Sequence, residues 1–236
     1  MSTQIYMTYI PLPDGERLSF YLAAEDYVAR HWAPADDCLL TWQVGPSVIC
    51  GRNQDVAAEV DLAYCREAGI SVFRRKSGGG AVYADSGNVM ITFIAPSDQV
   101  NFTYHRFVEM LLLLLRRIGV EATHSGRNDI LVEGRKVSGT AFYKLPHHSI
   151  VHSTMLFDTD ATNMSAALTP SKDKLQRHGV GSVHQRITLL REHTSASPAA
   201  LRRLAQTSLC TSERQLNEED FRNIRKKEKE YIIQIP

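Results

Sequence analysis

The spacing of apolar positions changes several times along the chain, and each change predicts an element. Leu18, Tyr21, Leu22 and Val28 recur three or four apart, with Glu25 on the same stripe, which predicts a helix over 18–32. Residues 38–51 predict two short strands around a Gly45-Pro46 turn. A helix is expected over 59–68, closing near Gly69, then a strand over 70–74 that runs into three consecutive glycines. NVMITFIA, residues 88–95, is apolar without a break and β-branched, as a strand buried on both faces would be. Residues 104–118 form the clearest helix, Leu-rich and closed by Gly119. Residues 130–133 and 136–143 flank Gly134-Arg135 as a hairpin, and 151–157 reads as a further strand. The polar, Lys-rich stretch 168–177 is expected to be part helix and part loop. Residues 197–208 and 218–229 predict two more helices, the second highly charged. No repeat is visible. Strands dominate the middle with helices between them, so the class is α/β (α+β) around a central mixed, mostly antiparallel sheet flanked by helices.

Composition narrows the function. The 236 residues are 43% hydrophobic, enough for a sizeable core. A formal net charge of +1 gives no global case for nucleic acid or a membrane surface, so any basic site must be local. The N-terminus lacks the pattern of a signal peptide, and the longest apolar run, 110–115, is far too short to span a bilayer. Cys38, Cys50, Cys65 and Cys210 show no CxxC spacing, which argues against zinc and a disulfide framework and suits a cytoplasmic protein.

Two segments carry the candidate chemistry. In FRRKSGGGAVYADSGNVMITFI, residues 73–94, Arg74, Arg75 and Lys76 precede Ser77, Gly78, Gly79 and Gly80. Consecutive glycines are costly to order. Beside fixed positive charge they suggest bare backbone N–H groups brought close to phosphate or an acyl phosphate. The alternative is a flexible Gly-rich turn between strands. Neither the P-loop nor the Rossmann spacing is present. In GRNDILVEGRKVSGTAFY, residues 126–143, Lys136 follows Asp129 on the far arm of the expected hairpin. Strand side chains alternate faces, so Lys136 points either into a site or into solvent. Asp129 is either a turn-forming residue or a carboxylate for Mg²⁺.

Together these two blocks, with STMLFDTD at 153–160 and fainter likeness at 51–61 and 179–190, resemble the lipoate-protein ligase A family. The resemblance covers most of residues 40–190. It implies a fold shared with biotin ligases, ATP-dependent activation of lipoate or octanoate to acyl-AMP, and transfer to a lysine of a lipoyl domain. By the resemblance, Lys136 would be catalytic. Arg75, Ser77, Gly78, Gly79, Gly80, Asn88, Lys136, Val137, Ser138, Gly139 and Thr154 would bind ATP or the adenylate. Arg75, Val82, Lys136 and Phe142 would contact lipoate, with Ile91 and Phe93 as further walls of an apolar tunnel, and Asp129 would hold Mg²⁺. Acceptors would be the lipoyl domains of 2-oxoacid dehydrogenase E2 subunits or the glycine cleavage H protein.

The sequence departs from the family at Ala84, where a histidine is usual, and at Ser153, where a glycine is. Residues 1–236 read as one catalytic domain with a short helical C-terminal segment at about 197–236 and no full accessory domain, which leaves room for an accessory ligase subunit. Two alternatives stand beside the ligase. One is an ATP-independent octanoyl or lipoyl transferase on the same fold, which would need a cysteine where this chain has none between Cys65 and Cys210. The other is a degenerate lipoate-binding protein.

Overall fold

The computed structural model describes residues 7–32, 36–169 and 186–233. Strands are β1 (Met7–Tyr9), β2 (Asp37–Trp42), β3 (Ser47–Cys50), β4 (Ser71–Arg74), β5 (Val82–Ala84), β6 (Asn88–Ala95), β7 (Thr123–His124), β8 (Asp129–Val132), β9 (Arg135–Leu145), β10 (His148–Leu156) and β11 (Ser212–Glu213). Helices are α1 (Leu18–Tyr27), α2 (Val56–Glu59), α3 (Leu62–Glu67), α4 (Val100–Arg117), α5 (Ala161–Ala167), α6 (Pro198–Leu209) and α7 (Glu218–Lys227).

Eight strands form one sheet in the order β11-β1-β2-β6-β10-β9-β8-β7. Its centre is antiparallel, and only the short edge pairs β1–β2 and β1–β11 are parallel. β6 sits between β2 and β10, which explains its unbroken apolar sequence: all eight residues are buried. Alternation divides its side chains. Met90 and Ile94 join the core beneath α1, while Val89, Ile91, Phe93 and Ala95 pack towards α4 and α6. α4 is amphipathic, burying Phe107, Leu111, Leu114 and Leu115 and presenting Arg116 and Arg117 to solvent. α1 differs: all ten of its residues are buried, because neighbours cover it on every side.

A second sheet, β4-β3-β5, has three strands and was not separated in the sequence reading. β3 runs parallel to β4 and antiparallel to β5, so the glycines between β4 and β5 loop over the end of β3. Two further details depart from the expectations. The hairpin turns at Glu133-Gly134, both at positive φ, rather than at Gly134-Arg135, and β9 starts at Arg135. The helix expected over 59–68 is broken at Val60, which bridges to Leu168 instead of continuing the helix. The expectation for 168–177 falls, beyond Thr169, outside the described residues.

The C-terminal helices share the main core. α7 packs on α1 through a Phe20–Phe221 stack at 6.2 Å and a hydrogen bond from the Tyr27 hydroxyl to Asp220 Oδ1 at 2.8 Å.

Candidate active site

β3 and β4 end side by side, with Cys50 opposite Arg74, and this brings Gly51 against the glycine arch. Arg75 is only 6% exposed. Its guanidinium is spent on backbone carbonyls: Nε and Nη2 donate to Gly78 O at 3.2 and 2.7 Å, Nη2 to Gly80 O at 2.8 Å, and Nη1 to Ile49 O at 2.7 Å. Burial pushes its pKa down to about 10, which still leaves it cationic at neutral pH. A trans peptide sets its N–H opposite its C=O. Carbonyls drawn to Arg75 therefore turn the amides of Gly79 and Ala81 away from it, as an anion site needs. Gly79 has φ +91°, a conformation that favours glycine. Gly51 is equally constrained, since a Cβ there would collide with the Gly79 carbonyl oxygen.

The arch overhangs a cavity of about 180 Å³. One part of its wall is apolar: Leu22 of α1, Trp42 of β2, Ile49 of β3, Val82 of β5 and Met90 of β6. Trp42 is stacked on Tyr21 at 4.7 Å, nearly parallel. The remaining wall is polar and comes from Arg75, Asn128, Lys136, His152, Thr154 and Arg186, with the backbone of Gly79, Gly80, Gly139 and their neighbours.

Lys136 points inward. Its Nζ lies 2.8 Å from Asp129 Oδ1, and the other carboxylate oxygen accepts from Arg186 Nη2. Gly139 makes this possible, because a Cβ there would sit 2.6 Å from that ammonium nitrogen. Burial by itself would raise the Asp129 pKa, but Lys136 and Arg186 outweigh it and hold the carboxyl below the usual carboxylate range. Both Asp129 oxygens thus face cations. That donor set does not fit Mg²⁺, which needs a carboxylate oxygen of its own, and Asp129 is a counterion for Lys136 and Arg186. Among the described residues no group of three or more His, Cys, Asp or Glu is arranged to hold a metal.

The other expected residues divide. Arg75, Gly79, Gly80, Val82, Lys136, Gly139 and Thr154 line the cavity. Gly78 contributes its carbonyl to the Arg75 clamp. Ser77 is fully buried, with Oγ 2.8 Å from Nε2 of the cavity-lining His152. Asn88 lies behind the wall, its Oδ1 accepting from Asp85 N at 2.8 Å and its Nδ2 without a partner among the described residues. Val137 belongs to the core on the α4 side, and Ser138 is buried behind the cavity wall. Ile91 and Phe93 also face α4. Phe142 is 44% exposed and meets Tyr104 edge-on at 5.8 Å, since alternation along β9 sets it opposite the cavity-lining Ala141. Neither Val137 nor Phe142 therefore walls the cavity. Sequence reasoning assigned no site role to Leu22, Trp42, Met90, Gly51, Asn128, His152 or Arg186. The local signals were the helical stripe through Leu22, the place of Met90 and Asn128 within the segments 73–94 and 126–143, and the likeness at 51–61 and 179–190.

Residues 18–209 match the family described as the lipoyl protein ligase A/B catalytic domain. The chain belongs to that family. Among curated proteins, this ligase-family chain is 40% identical over 172 residues to lipoate-protein ligase LplJ of Bacillus subtilis, covering 72% of the chain and 52% of that protein. It is 33% identical over 213 residues to lipoate–protein ligase 1 of Staphylococcus aureus, covering 87% and 65%. The chain thus spans between half and two thirds of the length of these relatives. A solved lipoate-protein ligase A bound with ATP superposes with TM-score 0.82 at 23% identity, covering 95% of each chain. A bipartite lipoate protein ligase from Thermoplasma acidophilum, described with its E2 lipoyl domain, gives 0.81 at 23% identity, covering 96% and 93%. At that identity the likeness establishes the shared fold. Among the described residues, no helix is long and apolar enough to cross a membrane.

Proposed function

We propose that the chain is a lipoate-protein ligase that makes acyl-AMP from ATP and lipoate, or octanoate, and delivers the acyl group to a lysine of a lipoyl domain. One observation carries this reading. Lys136 and the glycine arch line the polar part of one cavity whose other part is walled by Leu22, Trp42, Ile49, Val82 and Met90. An acyl chain fits among Trp42, Met90 and Leu22, with its carboxylate at Lys136 and phosphate against the arch amides. The carboxylate then attacks the α-phosphorus and pyrophosphate leaves. The acceptor amine attacks the resulting acyl carbonyl and AMP leaves. The protein supplies proximity and fixed positive charge where negative charge spreads, and no protein nucleophile is needed. Asp129, itself paired with Arg186 through its other oxygen, holds the Lys136 ammonium in place.

The thiol-dependent transferase finds no support in the geometry. No cysteine lines the cavity, and burial pushes Cys38 and Cys210 up to about 12 and Cys65 to about 11, away from the thiolate. The proposed acceptors are E2 lipoyl domains or the glycine cleavage H protein, in the cytoplasm, with room for an accessory subunit in adenylation.

The test is Lys136→Ala, assayed for lipoate-dependent exchange of labelled pyrophosphate into ATP and for lipoylation of an E2 lipoyl domain. Both should fall by at least about a hundredfold, the scale of removing a preorganised charge from a transition state. Wild-type rates in that variant would remove the lysine from the mechanism.

A further inference from the structure

Ser77, His152, Glu25 and Thr92 come from the arch, β10, α1 and β6 and form one continuous buried chain. Ser77 Oγ is 2.8 Å from His152 Nε2, His152 Nδ1 is 2.9 Å from Glu25 Oε2, and Thr92 Oγ1 donates to Glu25 Oε1 at 2.6 Å. None of the four is more than 8% exposed. The carboxylate of Glu25 accepts at both oxygens, so His152 must carry a proton on Nδ1. In the neutral imidazole the Nε2 lone pair then faces Ser77, and the Ser77 hydroxyl donates to it. The chain therefore has a direction, set from Glu25.

We propose that Glu25 and His152 are positioning residues for the arch. They lock the Ser77 hydroxyl in one orientation and so fix the peptide from which Gly78, Gly79 and Gly80 spring. Ser77 is held from its backbone as well, its carbonyl accepting from Arg52 N at 3.0 Å. Arg75 then clamps the carbonyls that follow. Arg75 thus fixes the arch from its carbonyl side, and the buried chain fixes it at its first side chain. Thr92 and His152 are direct cross-strand partners in the sheet, so the arch is referenced to a strand pair buried at every position. His152 also lines the cavity, and a side chain that merely shaped that wall would act on acyl binding. A positioning role acts instead on the adenylation step. This deepens the ligase reading and rests on it.

Two measurements test the proposal. In the wild-type protein, ¹⁵N NMR of the histidine rings should place the His152 proton on Nδ1 with Nε2 bare; a proton on Nε2 overturns the direction of the chain. In pyrophosphate exchange, Ser77→Ala and Glu25→Gln should each lower kcat roughly tenfold to a hundredfold, with KM for lipoate within about twofold. The double variant should be no slower than the slower single one, because both break the same chain. Multiplying losses, or a raised KM at unchanged kcat, would overturn the positioning role. Wild-type protein that gives no exchange counts against the ligase reading, and the NMR measurement then still decides the chain.

Discussion

Gly139 and Gly51 show two different reasons for a residue to lack a side chain. At Gly139 the space is taken by the flexible end of Lys136, which an added methyl group would push away from Asp129. Gly139→Ala should leave the melting temperature within about 3 °C, because no backbone must move. Its exchange rate should drop at least about tenfold as the ammonium shifts. At Gly51 the obstacle is the backbone carbonyl of Gly79, which cannot rotate aside. Gly51→Ala should therefore cost stability as well, about 2 kcal/mol as overpacking does, or roughly 5 °C for a domain of this size. Calorimetry and exchange assays on the two variants separate the cases, and equal melting losses would contradict the argument. The glycine arch was legible because consecutive glycines are locally expensive, whereas Lys136 was assigned to the site only through the family resemblance. His152 and Glu25 were not, since His152 meets Ser77 across 75 positions and Glu25 across 127, and no local pattern encodes such pairing.

At the scale of elements, α1 ties the arch to the C-terminus. Asp26 is fully buried and pairs with Arg30 at 3.0 Å, Lys76 at 3.3 Å and Lys227 at 3.0 Å. Lys76 precedes Ser77 and also reaches Glu230 at 2.8 Å and the Tyr231 ring at 5.0 Å. Lys227, in the highly charged helix, is thus part of a latch. Burial would raise the Asp26 pKa, but its partners outweigh this and lower it. A depressed folded value means that the stabilisation is fully present above the unfolded value, near pH 4, and is lost as pH falls through the folded value. Asp26→Asn should cost about 2 kcal/mol at pH 7, less than a wholly buried pair because the cations are partly exposed and can rehydrate. Urea midpoints should show that gap narrowing below pH 4, and a pH-independent gap would refute the linkage. Most elements were visible from periodicity, as α4 and β6 demonstrate. The three-stranded sheet was not, because β3 and β5 read like any other short apolar strands, and only non-local pairing assigns them to a separate layer.

The whole molecule is built around the seam between its two sheets. The cavity takes walls from α1, β2, β3, β5, β6, β9 and β10 as well as the arch, so no local unit holds it and ligand binding should stabilise the fold globally. At a hundred times its dissociation constant, a ligand adds about 2.7 kcal/mol, or roughly 5–10 °C for a domain of this length. Lipoate should produce such a shift. Lipoamide, with the same chain and no charge, should bind roughly fivefold to tenfold more weakly, since a hydrogen bond to a charged group contributes about 1 to 1.5 kcal/mol more than a neutral one. At matched concentration its shift should be smaller by several degrees. The apolar wall treats both ligands alike, so discrimination must come from the polar end, where the proposed carboxylate partner is the Lys136 ammonium. In Lys136→Ala the two shifts should therefore converge, with the acid losing its advantage and the amide nearly unchanged. Equal shifts in the wild-type protein would mean that the carboxylate does not lie at Lys136.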